Sequence, residues 1–277
     1  MNAEELYLFD LRGYLVIKAA LNAGEVRELN ELIGQRPAWE EVSGSRYAHT
    51  GFDSRSVAAG NSDPEHGPID FYSGLLLDWG EPVRRLVGHP GVLPYLQGLI
   101  GPNCRLDHAY AIFQKKGHAA TGHELHGGGT PHDPTQFYAY RDGMPLNGLV
   151  AFSFALTDVS PGTGGFTCIP GSHKSNMPFP KRYKDLSEPV DAIVQIPVKA
   201  GDVIVFTEAL SHGAMAWSAN HERRALMYKY CPSYMQWEKG SPFVDADAYQ
   251  WTRAQREILR GPYFWGRSDI HSEMALP

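Results

Sequence analysis

Residues 148–170 read GLVAFSFALTDVSPGTGGFTCIP. Two runs rich in β-branched and aromatic residues, 148–159 and 165–170, are separated by Ser, Pro, Thr and Gly. That is the texture of short strands joined by a tight turn. The same texture continues on both sides, in CRLDHAYAIFQ (104–114), AIVQIPV (192–198), DVIVFTEAL (202–210) and RALMYKYCP (224–232). No strand alternates with a helix, so a parallel βαβ sheet is not expected. Helical segments come first and strands follow, which predicts an antiparallel sandwich or jelly roll from about residue 104 to about 232, with N-terminal helices packed outside it.

The helical part is legible upstream. In LNAGEVRELNELIG (21–34), Asn22 is an N-cap with Glu25 three residues on, as in a capping box, followed by an apolar stripe through Val26, Leu29, Leu32 and Ile33. EPVRRLVGHPGVLPYLQGLIG (81–101) predicts a second helical region, broken around His89-Pro90-Gly91 and stopped at Gly101-Pro102. Residues 36–74 are polar and rich in Gly and Ser and are expected to form a long loop or lid, and 178–189 another long connection. The division expected is one domain over 1–277: a helical part ~1–103, the strand-rich core ~104–232, and an extension ~233–277.

Bulk properties exclude some function classes. The net charge of −6, with no concentration of Lys and Arg, argues against a nucleic-acid surface. Three widely spaced cysteines do not make a disulfide framework and fit a reducing compartment. The N-terminus has no apolar signal-like run, and the longest apolar stretch is too short to span a bilayer, so a cytoplasmic protein with no membrane partner is expected.

The chemistry concentrates in GHELHGGGTPHDP (122–134) and FTEALSHGAMAW (206–217). Two imidazoles and a carboxylate on one side of an iron ion, with positions left open, are the donor set of the non-haem Fe(II) oxygenases. His212 follows an apolar run, at the end of an expected strand. Arg223 comes 11 residues later (223 − 212 = 11). It is placed to reach back from a neighbouring strand and grip a carboxylate near the metal. Strand alternation turns the adjacent Arg224 the other way, toward a surface ion pair.

These segments resemble the phytanoyl-CoA dioxygenase family of Fe(II)/2-oxoglutarate oxygenases. FDLRGYLVIKAALNAGEVREL (9–29) is similar to its N-terminal strand and helix, and FALTDVSPGTGGFTCIPGSHKSN (154–176) to its PGSH segment. AGDVIVFTEALSHGA (200–214) is similar to its distal-histidine strand, and HERRALMYKY (221–230) to its cosubstrate-arginine strand. The resemblance implies a mainly β double-stranded β-helix, a cupin-like jelly roll. It implies Fe(II), 2-oxoglutarate and O2 as cofactors, and hydroxylation of a small-molecule substrate through a ferryl species. It makes His212 the distal iron ligand, His126 the proximal one and Arg223 the 2-oxoglutarate anchor.

The family's proximal ligands form a His-x-Asp pair, and here the residue two after His126 is Gly128. Three readings stay open. The glycine run bulges and returns Asp133 to the metal, with Pro131 and Pro134 stiffening the arm; or Glu124, on the same face as His126, ligates; or no carboxylate does, and water or halide takes the place, as in iron-dependent halogenases. The assignment carried forward is His126, His212 and Asp133, because two neutral imidazoles leave Fe(II) without an anionic ligand. The rival classes are a halogenase and a catalytically silent binding protein on the same fold. His123 and His132 read as loop residues. His173 reads as structural, and the remaining histidines as surface or satisfied core groups. Asp158 reads as a turn residue. Phe137, Tyr138, Tyr140 and Trp217 are more simply packing than pocket lining. Oligomeric state is not legible.

Overall fold

In this computed structural model, residues 1–35, 76–117, 124–128, 133–238, 249–267 and 269–270 are described, together with the short strands at 62–63, 67–68 and 71–73. The remainder of the expected 36–74 loop, along with His49, His66, His118, His123, His132 and His271, lies outside the described residues.

In chain order the elements are α1 (Ala3–Arg12), β1 (Tyr14–Ile17) and α2 (Ala23–Gly34), then β2 (Ser62–Asp63), β3 (Gly67–Pro68), β4 (Phe71–Ser73), α3 (Glu81–Arg84) and α4 (Leu93–Leu99). There follow β5 (Cys104–Gln114), β6 (Tyr138–Arg141), β7 (Met144–Asn147), β8 (Val150–Ala155), β9 (Gly165–Cys168), β10 (Val194–Gln195), β11 (Val203–Thr207), β12 (His212–Met215), β13 (Arg223–Pro232) and α5 (Arg253–Leu259). Both N-terminal helices open on a capping box, Asn2 with Glu5 and Asn22 with Glu25, which satisfies amides that the helix cannot.

Six strands form one antiparallel sheet in the order β1-β11-β8-β13-β5-β4, and three form a second in the order β10-β9-β12. The period of two along each strand explains how they pack. In β13, Leu226, Tyr228 and Tyr230 join a core cluster with Leu29 and Ile33 of α2, Val83 of α3 and Leu96 of α4. Met227 joins a second cluster with Phe166 and Cys168 of the small sheet. Likewise β11 sends Val203 and Val205 to the helices, and Ile204 and Phe206 to the small sheet. The large sheet is therefore buried on both faces, by helices on one side and the small sheet on the other. The unbroken burial of β5 is the direct result.

The three cysteines are free and buried, and desolvation pushes each thiol up to about 12. Among the described residues, no helix is long and apolar enough to cross a membrane.

Candidate metal centre

His126 and His212 meet at one point. They form an isolated antiparallel bridge between the loop after β5 and the start of β12, with ring centroids 4.2 Å apart. Each ring is held the same way: Nδ1 of His126 lies 2.7 Å from the Glu124 carbonyl, and Nδ1 of His212 lies 2.7 Å from the Leu210 carbonyl. A carbonyl only accepts, so Nδ1 carries the proton and Nε2 of both rings keeps its lone pair. His212 is buried against Phe206, at 4.6 Å between ring centroids. Desolvation, and then the neighbouring His126, bring its pKa down to about 3. His126 stands at the rim, and desolvation lowers it as well. At neutral pH both rings are neutral, the form in which imidazole binds a metal.

The surrounding segments hold this pair in place. The His126 loop is pinned by Leu125 N donating to Lys184 O at 2.8 Å, so the long 178–189 connection acts as its clamp. The turn before His212 rests on the PGSH segment: Ser211 N donates to Ser172 Oγ at 2.8 Å, and Ile169 N to Ser211 O at 2.9 Å. His173 of that segment docks α1, with Nε2 3.0 Å from Asp10 O.

Arg223 is buried and faces the small sheet, donating from Nη1 to Gln114 Oε1 at 2.6 Å. Gly165, at φ +82°, makes room for it: a Cβ there would sit 3.0 Å from Arg223 Nε. Arg224 turns away, binding Glu222 at 2.8 Å and Asn30 Oδ1 at 2.9 Å. His212 pairs with Cys168 of β9, three residues from Gly165 (168 − 165 = 3). The backbone partner of His212 and the glycine that Arg223 packs against are thus about 10 Å apart along β9.

The carboxylates are distributed differently from the pair. Asp133 Oδ1 accepts from Thr135 N at 2.7 Å and from Thr135 Oγ1 at 2.5 Å, and Oδ2 accepts from Trp237 Nε1 at 3.2 Å. It caps the turn that leads toward β6, and those three donors occupy it. Glu124 is exposed and paired with Lys184 at 3.1 Å. Gly128 has φ +75°, and a Cβ there would lie 2.3 Å from Ser211 Oγ. A side chain at 128 therefore starts out toward Ser211.

The structure adds a carboxylate that the sequence reading passed over. Glu208, four residues before His212, is 2% exposed, with Oε2 3.8 Å from His212 Nε2 and Oε1 3.0 Å from Lys229 Nζ. Desolvation pushes its carboxyl upward, but Lys229, His212 and His126 outweigh this and bring it to about 2. The sequence signal was a single lysine in the apolar run RALMYKYCP, an even number of residues from Arg223 and so on the same face. Among the described residues, no three His, Cys, Asp or Glu side chains are already gathered around one ion. The two bare Nε2 atoms nevertheless fit a first-row metal, whose imidazole bonds are about 2.0–2.1 Å long.

The model of the family described as Phytanoyl-CoA dioxygenase (PhyH) matches residues 9–225, most of the chain, and spans His126, Glu208, His212 and Arg223. The chain belongs to the phytanoyl-CoA dioxygenase family. Among solved structures it is similar to HygX from Streptomyces hygroscopicus with nickel and 2-oxoglutarate bound (TM-score 0.69, 21% identity, covering 98% of this chain and 99% of HygX). It is also similar to AviO1 from Streptomyces viridochromogenes Tue57 (TM-score 0.62, 16% identity, covering 86% and 98%). A third is SnoN, a non-heme alpha ketoglutarate dependent epimerase from nogalamycin biosynthesis (TM-score 0.57, 20% identity, covering 83% of each chain). At these identities the likeness is one of fold.

Proposed function

We propose that this chain is an Fe(II)- and 2-oxoglutarate-dependent oxygenase of small organic molecules, and that its two sheets form the jelly roll of that class. The observation that carries this reading is the His126–His212 pair, each Nδ1 held by a carbonyl so that Nε2 keeps its lone pair, with the buried Arg223 packed against the same strand β9 that pairs with His212. HygX, of similar fold, is described with nickel and 2-oxoglutarate, and also with hygromycin B, a small molecule. SnoN, in its complex, holds Fe3+, alpha ketoglutarate and nogalamycin RO.

His126 and His212 are the iron ligands in this reading. Bound Fe(II) would supply O2 activation, with 2-oxoglutarate as the co-substrate oxidised to succinate and CO2. Arg223 holds the far carboxylate of 2-oxoglutarate, and Gln114 orients the guanidinium by accepting from Nη1. Phe166 and Phe206 form an apolar wall beside His212 that keeps bulk water from that flank. Hydroxylation is the proposed outcome for substrate. Halogenation is not favoured, because a side chain at Gly128 would begin against Ser211, so the glycine does not open a halide-sized space by simple truncation of an aspartate.

The test is anaerobic loading with Fe(II) and 2-oxoglutarate, then exposure to O2. Consumption of 2-oxoglutarate with matching succinate, abolished in His212→Ala, supports the reading. Absence of metal binding by the wild-type protein would sink it.

A further inference from the structure

We infer that Glu208 provides the anionic third ligand of the metal centre, bridging the ion through Oε2 and Lys229 through Oε1. This rests on the proposed His126–His212 metal site and goes beyond it, since the family pattern offers a carboxylate two residues after the first histidine and this chain has Gly128 there.

The first argument is one of reach. Two donors on one side of an ion, each about 2.1 Å from it, lie about 3.0 Å apart. Glu208 Oε2 and His212 Nε2 are 3.8 Å apart, so a side-chain shift of under about 1 Å brings them to that separation. The second is availability. Asp133 has both oxygens engaged, Oδ1 by Thr135 and Oδ2 by Trp237, and Glu124 is exposed and paired with Lys184. Glu208 keeps Oε1 on Lys229, leaving Oε2 on the histidine side. A ligating carboxylate held on its other oxygen by an outer partner is the usual arrangement, and the Lys229 ammonium, ion-paired at 3.0 Å, is that partner here.

The third argument is charge. A buried carboxylate costs several kcal/mol to desolvate unless it is compensated. Lys229, itself 6% exposed, compensates it in the metal-free protein, with its Nζ 5.5 Å from the Tyr110 ring centroid. The fourth is geometry. Lys229 lies six residues from Arg223 along β13 (229 − 223 = 6), about 20 Å in extended strand. Lys229, and the Glu208 carboxylate paired with it, are thus anchored on the part of β13 far from Arg223. A protein oxygen in the third place leaves no vacancy for halide, so the inference also selects oxygenation over halogenation.

The experiment is anaerobic titration of the apo protein with Fe(II) and with Co(II), by calorimetry and by the visible absorption of Co(II). Glu208→Gln should weaken both metals at least about tenfold and alter the Co(II) spectrum, while Asp133→Ala binds as wild type. Because Glu208→Gln leaves Lys229 buried without its counter-ion, a double variant, Glu208→Gln with Lys229→Met, removes both charges. It should recover the wild-type melting temperature and still bind metal weakly. Unchanged affinity in either Glu208 variant, with loss of binding in His212→Ala, overturns the Glu208 assignment and leaves the histidine site standing. Metal binding retained in His212→Ala overturns the parent reading instead. A crystal structure of the wild-type protein loaded with Ni(II) decides without any variant: Glu208 Oε2 at about 2.0–2.2 Å from the ion supports the assignment, and water, chloride or Asp133 in that place refutes it.

Discussion

His126 and His212 exchange both of their backbone hydrogen bonds: His126 N donates to His212 O, and His212 N to His126 O, each at 2.8 Å. The two imidazoles therefore sit on a single β-bridge rather than on independent loops, and their Cα positions are fixed before any ion arrives. Their backbones do not depend on their rings. Replacing either histidine by alanine should remove Fe(II) binding while leaving the bridge and the fold intact. Calorimetry with Fe(II), beside far-UV circular dichroism, tests this. Lost dichroism at unchanged metal affinity would contradict it.

Gly127 makes the bridge possible. It has φ +77°, and a Cβ on it would lie 2.4 Å from the Leu210 carbonyl oxygen, a backbone atom that cannot swing aside. Leu210 O is also the acceptor that fixes the tautomer of His212. Gly127→Ala should cost on the order of 1–3 kcal/mol in stability and weaken metal binding with it. A variant with wild-type melting temperature and affinity would show that the loop relaxes freely.

The neighbouring arginines should separate cleanly. Arg223→Ala removes a buried guanidinium facing the small sheet, and the lost charge-assisted bond to 2-oxoglutarate, about 1.5–3 kcal/mol, should raise its KM at least tenfold. Arg224→Ala loses contacts to Glu222 and Asn30. It should lower stability by up to about 1 kcal/mol and leave that KM alone. Steady-state kinetics in 2-oxoglutarate and thermal melts tell the two apart; a KM that rises equally in both would contradict the assignment.

His173 should make the fold sensitive to acid. Desolvation lowers its pKa to about 4, below the 6.5 of a free imidazole. As pH falls from about 6.5 to about 4, the unfolded chain takes up a proton that the folded one refuses, so stability is present above this window and is lost through it. The loss from this group is at most about 3 kcal/mol. His173→Gln should show a correspondingly shallower decline in unfolding free energy between pH 7 and 4. Parallel curves would mean that His173 is not the group responsible.

Much of this was legible in the sequence because burial leaves a direct trace. The strand at 104–114 was bounded correctly, since both of its faces are covered and its later half, Ala109–Phe113, is an unbroken run of apolar and aromatic residues. α1 was missed because its signal, Asn2 capping with Glu5, lies at the chain end, before any apolar stripe. The β6–β7 hairpin was missed although Asp142-Gly143, both at positive φ, is a favoured two-residue turn. Its strands are largely exposed and lack hydrophobic contrast. The parity that turns Arg223 inward needs only one strand and was readable. The Glu208–Lys229 pair was not, because it joins a turn after β11 to the far half of β13, and a sequence carries no register between strands.

β1 has a consequence of a different kind. It pairs with β11 over Tyr14–Ile17 against Val203–Phe206, and Lys18 Nζ and Ala19 N both bind Asp202 beside it. β11 is the strand that runs into Glu208 and His212, and among the described residues β1 is the strand that covers its outer row of amides and carbonyls. A chain trimmed of its first 17 residues would expose β11 as a template for another molecule's strand. The expected result is self-association seen by light scattering, with the catalytic end of the molecule at the junction. The short N-terminal strand is thus a guard against aggregation, and affinity tags or truncations belong at the other terminus.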